Sequence, residues 1–182
     1  WIVSWPGNSN IKVGTASDVA VTTLDIFPTI LDAANITQPN NQVLDGRSFF
    51  PALEGNPMED TPVFTDFPHR MGILCAPSVA VRYGDWKLIR YYWAATSVGV
   101  PTHYYELFNL VKDPMEAINL TDYYPDKITE LDAMITQHLD ATDALIPNSN
   151  PKYIGPVPFS RGTSSDLTPV TLTVENQQIC VS

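Results

Sequence analysis

The run from Ala80 to Tyr92 constrains this chain most. Val81-Arg82-Tyr83 and Trp86-Lys87-Leu88-Ile89 are β-branched and aromatic, and Gly84-Asp85 between them supplies a tight reversal. They predict a hairpin. In its second strand Trp86, Leu88 and Arg90 face one way and Lys87, Ile89 and Tyr91 the other, so neither face is purely polar and at least one must be covered. The cover lies downstream, in a helix predicted from Pro125 to about Ala144. There Ile128, Leu131, Ile135, Leu139 and Thr142 recur at spacings of three and four, with Met134 and His138 beside the stripe; Lys127, Glu130, Asp132 and Gln137 lie largely off it. Pro125 suits a first helical position and Asp126 a first turn. A helix laid across a small antiparallel sheet is an α+β arrangement.

The remaining segments fill in that plan. Trp1-Ile2-Val3-Ser4-Trp5, stopped by Pro6-Gly7, reads as the end of a buried strand. From Ser17 to Ala34 the apolar residues Val21, Leu24, Phe27, Ile30 and Leu31 keep helical spacing, although Pro28 allows a regular helix to begin as late as Phe27. Asn35 suits its end. Residues 36–60, rich in Pro, Asn and Gly, read as a bridge. Pro62 to Phe67 is predicted as the first strand of the small sheet, Trp93 to Pro101 as a loop, and Tyr104 to Leu110 as the fourth strand. Asp113-Pro114-Met115-Glu116 is a turn. Beyond Leu145, proline-rich sequence reads as an irregular strap, and the alternation from Thr168 to Val174 as a short strand that adds to a sheet edge or opens a further domain.

Two groups of motifs carry a resemblance. Arg82-x-Gly84-Asp85-Trp86-Lys87-Leu88-Ile89 is followed by Glu106-Leu107-Phe108-Asn109-Leu110-x-x-Asp113-Pro114-x-Glu116-x-x-Asn119-Leu120. Upstream stand Trp5-Pro6-Gly7, Asp25-x-x-Pro28-Thr29-Ile30-Leu31 and Leu44-Asp45-Gly46-Arg47-Ser48, in that order. The set resembles the carboxy-terminal part of the sulfatase family, the arylsulfatase-like enzymes of the alkaline-phosphatase superfamily, over roughly residues 1–150. The resemblance implies that residues 1–45 are the last strand and helix of an alkaline-phosphatase-like α/β domain. Residues 46–145 are then a small α+β domain with a four-stranded antiparallel sheet and one carboxy-terminal helix, and 146–182 stay unassigned.

It also implies a sulfuric ester hydrolase whose formylglycine and calcium ion sit in sequence before Trp1, with no catalytic or metal-ligating residue in this chain. The chain opens without Met and without a basic, apolar leader, which reads as a piece of a longer protein. The parent enzyme is then expected in a secreted, periplasmic or lysosomal-type compartment. Its partners are the missing amino-terminal domain and a sulfated carbohydrate or aryl sulfate, and the isolated chain is expected to be inactive. The segment Asp66-Phe67-Pro68-His69-Arg70 resembles a loop that borders the family's cleft. His69 and Arg70 are therefore candidate substrate contacts, able to hydrogen-bond a sugar hydroxyl or an anionic group.

Charge and cysteine content narrow the rest. Net charge is -10, from 20 acidic against 10 basic residues, which opposes nonspecific binding to nucleic acid or an anionic membrane. A polyanionic substrate needs a local basic patch. His69, Arg70, Arg82, Lys87 and Arg90 are candidates for one, with scattered, solvated charges as the plainer reading. Cys75-Ala76-Pro77-Ser78-Val79 begins like a sulfatase nucleophile motif but carries Val79 where Arg is required and precedes a strand, so Cys75 is read as structural. Cys75 and Cys180 permit one disulfide or none, and neither belongs to a C-x-x-C pair.

Asn35-Ile36-Thr37 and Asn119-Leu120-Thr121 are glycosylation acceptor patterns. Trp86 and Tyr91 read as packing, Asp85 as a turn residue, Lys87 as a strand residue with its head in water, and Asp113 and Glu116 as serving the turn backbone. His103 and His138 lack partners at ligand spacing. Competing readings are a noncatalytic carbohydrate-binding or interaction module and a hydrolase of phosphate esters.

Overall fold

Three short helices and six strands make up the regular structure of the computed structural model, which describes residues 1–11, 13–69, 76–97, 100–148, 172–175 and 178–181. A turn of 3-10 helix, Thr23–Asp25, leads into α1 (Ile26–Ala33) and α2 (Phe50–Leu53). Then come β1 (Val63–Phe67), β2 (Ser78–Tyr83), β3 (Trp86–Ser97), β4 (Val100–Asn109) and α3 (Pro125–Ala141). β1 to β4 form one antiparallel sheet in sequence order, and β5 (Leu172–Glu175) pairs with β6 (Gln178–Val181) in a separate two-stranded sheet. No described helix is long and apolar enough to cross a membrane.

The expected hairpin is present: Tyr83 pairs with Trp86, and Gly84 takes φ +55 between them, a conformation that favours glycine. α3 covers the predicted face. Leu131, Ile135 and Leu139 are buried against Val79, Val81, Leu88, Tyr92 and Leu107, with Ile128 and Met134 packed beside them. On the opposite face Ile89, Tyr91 and Phe108 form a second cluster with Ala80, Tyr104 and Leu110. Thr142 is outside the buried stripe; it is the C-cap of α3, its hydroxyl donating to the His138 carbonyl at 2.8 Å.

Three expectations need correction. Trp93 to Pro101 is mostly strand, because β3 runs on to Ser97 and β4 starts at Val100. Ala94-Ala95-Thr96-Ser97 carries little side-chain strand signal, but the partner strand supplies the ladder. The register breaks between Tyr91 and Ala95, where β3 bulges and Trp93 takes φ +52. Next, the helix expected from Ser17 is only Ile26–Ala33 with the 3-10 turn before it, since Pro28 has no N–H to donate to Leu24 and is tolerated only within a first turn. Finally, Trp1 to Trp5 forms no strand: its side chains are exposed, and the Trp5 carbonyl accepts the Asn8 amide of the following turn.

The motifs are joints of the scaffold. Asp25 is buried; its carboxylate accepts the Thr22 amide at 2.6 Å and the Arg47 amide at 2.9 Å. Thr29 donates its hydroxyl to the Asp25 carbonyl and accepts the Phe49 amide. Gly46 passes so close that a Cβ there would lie 2.2 Å from the Leu24 carbonyl oxygen. The Asp-x-x-Pro-Thr and Asp-Gly-Arg-Ser motifs are thus the two halves of one clasp.

The downstream signature is a second clasp. Asn119 accepts the Leu107 and Thr121 amides and donates to the Tyr105 carbonyl, while Asp113 accepts the Ile118 amide. Lys87 does not end in water: its Nζ pairs with Glu116 at 2.7 Å and pins that turn to β3. Of the two glycosylation patterns, Asn35 is exposed and the Asn119 amide is engaged in holding β4.

Candidate functional site

The sheet register brings the chemically capable side chains to one end. Phe67 of β1, Ser78 of β2, Tyr91 of β3 and Tyr104 of β4 stand in one row across the strands. Just past that row lie Pro68 and His69, Tyr92 and Trp93, and His103. Alternation puts Leu88, Arg90 and Tyr92 on the face that α3 covers, with Tyr105 and Leu107 beside them on β4.

Arg90 is buried, and its Nη1 donates to Asp132 Oδ1 at 3.0 Å and Thr136 Oγ1 at 3.1 Å, both on α3. A buried guanidinium is tolerated only when paired. Its Cζ lies 5.8 Å from the centre of the Tyr92 ring. The Tyr92 hydroxyl donates to Asp66 Oδ1 at 3.5 Å, the outer limit of a hydrogen bond. His103 sits among Trp93, Tyr92 and Tyr105, with its ring centre 4.5 Å from that of Trp93, and its Nδ1 accepts the Trp93 amide.

Burial dominates the electrostatics here. It pushes the Tyr92 phenol above its ordinary pKa of 10.0; the Asp66 charge adds to this and Arg90 offsets part of it. Tyr105 is raised by burial and then by Asp132, against Arg90. His103 is lowered from 6.5 by burial and then by Arg90, with Asp132 opposing.

His69 is exposed at the rim, its ring edge-on to Phe67 with centres 5.9 Å apart. Asp66 is exposed beside it. Arg70 and Cys75 lie outside the described residues. Ala76-Pro77 lead straight into β2, so a strand follows the Cys75 segment.

The described members of the basic patch do not assemble as a unit. Arg90 is sealed under α3 with Asp132, Lys87 is paired with Glu116, and Arg82 is exposed along β2. Among the described residues no three His, Cys, Asp or Glu side chains converge. The arrangement can hydrogen-bond a ligand at its rim, through the His69 imidazole and the Asp66 carboxylate. Sequence reasoning missed the role of Tyr92, Asp132 and His103. The available signal was Arg90 itself, an inward-facing charge between Leu88 and Tyr92 that requires an acid on the covering helix.

A family profile described as N-sulphoglucosamine sulphohydrolase, C-terminal, matches residues 1–144. Arylsulfatase K of Danio rerio is 28% identical over 142 residues, covering 76% of this chain and 25% of its own length. Arylsulfatase K of Gallus gallus is 32% identical over 142 residues, covering 74% of this chain and 24% of its own. N-acetylgalactosamine-6-sulfatase of Canis lupus familiaris is 27% identical over 164 residues, with 75% and 29% covered. Among solved structures, a 2-O GAG sulfatase matches with a TM-score of 0.52 at 21% identity over 76% of this chain and 30% of that one, a likeness of fold. The chain therefore spans about a quarter to three tenths of the length of these relatives.

Proposed function

The chain belongs to the sulfatase family, as its carboxy-terminal region, and on that premise we propose that it is the rear part of a sulfuric ester hydrolase, where it walls the cleft and selects the alcohol side of the ester. The observation that carries this is the match over residues 1–144 by a chain that spans only about a quarter of the length of such a relative. The nucleophile, which the family makes as formylglycine, and the calcium ion belong in this reading to the remainder of the enzyme.

Residues 1–45 are then the edge of the large α/β domain. In support, Leu24, Phe27 and Ile30 leave an exposed apolar surface that a larger domain would bury. Residues 46–145 form the small domain, and the parent enzyme works in a secreted, periplasmic or lysosomal-type compartment.

The substrate we assign is a sulfated carbohydrate. The names of two relatives, N-acetylgalactosamine-6-sulfatase and N-sulphoglucosamine sulphohydrolase, support an amino sugar. His69 meets the sugar as a hydrogen-bonding group at the cleft rim, and Arg70 is its cationic neighbour. The test is His69→Ala in the full-length enzyme. A loss of kcat/KM of about tenfold, or about 1.4 kcal/mol, is expected on a sulfated hexosamine, with a smaller loss on an aryl sulfate. A kcat/KM unchanged from the wild-type enzyme on both substrates would sink the assignment.

A further inference from the structure

We propose that Asp132, Arg90 and Tyr92 act as a chain of positioning residues that sets the placement of Asp66 and, through it, of the His69 imidazole at the cleft rim. The inference rests on the reading of His69 as a substrate contact and adds what holds it there.

The chain of contacts begins on the most securely packed element. α3 is anchored by Leu131, Ile135 and Leu139, none more than 2% exposed, so Asp132 and Thr136 on its flank are fixed points. They take two hydrogen bonds from one Arg90 nitrogen, Nη1, which fixes a guanidinium whose side chain is only 7% exposed. Removing a charge from water is costly, so this group does not wander from its acid. Arg90 in turn lies against the ring of Tyr92. The Tyr92 backbone is itself held, because its amide donates to the Pro77 carbonyl at 2.9 Å. A ring confined in this way has one polar atom to offer, and that hydroxyl points at Asp66.

From Asp66 to His69 the backbone has little freedom. Asp66 and Phe67 are held in the ladder opposite Val79 and Ser78, and the ring of Pro68 restricts the next φ. Asp66 and His69 thus belong to one short stretch, and a tether on the Asp66 side chain resists displacement of the strand end that carries His69. Among the described residues β1 is also an edge strand, paired on one side only, so a side-chain tether counts for more there than in the middle of the sheet. The 3.5 Å contact leaves room to tighten when a ligand closes on the rim, as hydrogen bonds in unliganded sites commonly do.

The test uses the full-length enzyme and a sulfated hexosamine. Tyr92→Phe keeps the ring packing and removes only the hydroxyl. It is expected to lower kcat/KM about threefold to tenfold, chiefly through KM, with Tm nearly unchanged. Because Tyr92 works through His69, the double variant Tyr92→Phe/His69→Ala is expected to match His69→Ala alone. Wild-type kcat/KM in Tyr92→Phe, or losses that multiply in the double variant, would overturn the positioning role while leaving the His69 contact standing. A silent His69→Ala would overturn the underlying reading and this inference with it.

A structural readout is independent of turnover. Asp66→Asn removes a charge that raises the Tyr92 phenol, so the Tyr92 ring resonance is expected to titrate at lower pH in that variant. An unchanged titration would show that hydroxyl and carboxylate are not coupled.

Discussion

Arg90, Asp25 and His103 show how single polar residues are used inside this fold. Each is wholly or partly buried and each is held by partners: Arg90 by Asp132 and Thr136, Asp25 by the amides of Thr22 and Arg47, His103 by the Trp93 amide and surrounding rings. His103 carries a pH consequence. Burial, then Arg90, lowers its pKa below 6.5, so the unfolded chain binds the proton more readily than the folded one. Its contribution to stability is complete above pH 6.5 and is lost as pH falls from there through the folded value. His103→Gln keeps an acceptor for the Trp93 amide and cannot titrate. Thermal melts across this range should show a shallower fall in stability below pH 6.5 for the variant; parallel curves would contradict the assignment.

At the scale of elements, the helices stop by a shared device. Asn35 after α1 takes φ +54, with the Ile36 amide closing on the Leu31 carbonyl; Asp143 after α3 takes φ +49, with the Ala144 amide closing on the Leu139 carbonyl. Left-handed backbone costs an L-residue about 1–2 kcal/mol, less for Asn and Asp. Asp143→Gly should therefore stabilise the chain by about 0.5–1 kcal/mol, after allowing for the looser unfolded chain, and Asp143→Ala should destabilise it. A denaturant titration that ranks Ala above Gly would refute this account. Asn35 was readable as a helix end because it follows the last apolar position of the repeat. The Asp143 stop was not, since Ala144 continues the apolar pattern and only the closing bond to Leu139 marks the turn. The β3–β4 extension was hidden for a related reason, because small residues acquire strand conformation from their partner strand.

For the whole molecule, the apolar surface is lopsided. The small sheet buries Leu88, Ile89, Leu107 and Phe108, with Val111, Met115 and Leu145 exposed beyond it, whereas toward the amino terminus Ile2 and Val13 are fully exposed and a groove of about 830 Å³ opens among Trp5, Phe49, Leu53 and Arg82. That distribution suits a chain that completes a larger body. Purified residues 1–182 should give no turnover of an aryl sulfate, while the full-length enzyme should; measurable hydrolysis by the isolated chain would refute the assignment of the chemistry to the remainder.

What the sequence determined by itself was the period of α3 and of the strands flanking Gly84-Asp85, the hairpin between them, the face that α3 must cover and the ordered motifs of the family. These are local or nearly local properties, written in the alternation and spacing of side chains. Only the tertiary structure decided that Lys87 meets Glu116, that Asp25 and Gly46 form one clasp, and that Arg90 reaches Asp132. Partners separated by 22 to 42 residues leave no periodic trace, because their meeting depends on how the strands and α3 stack rather than on any single stretch.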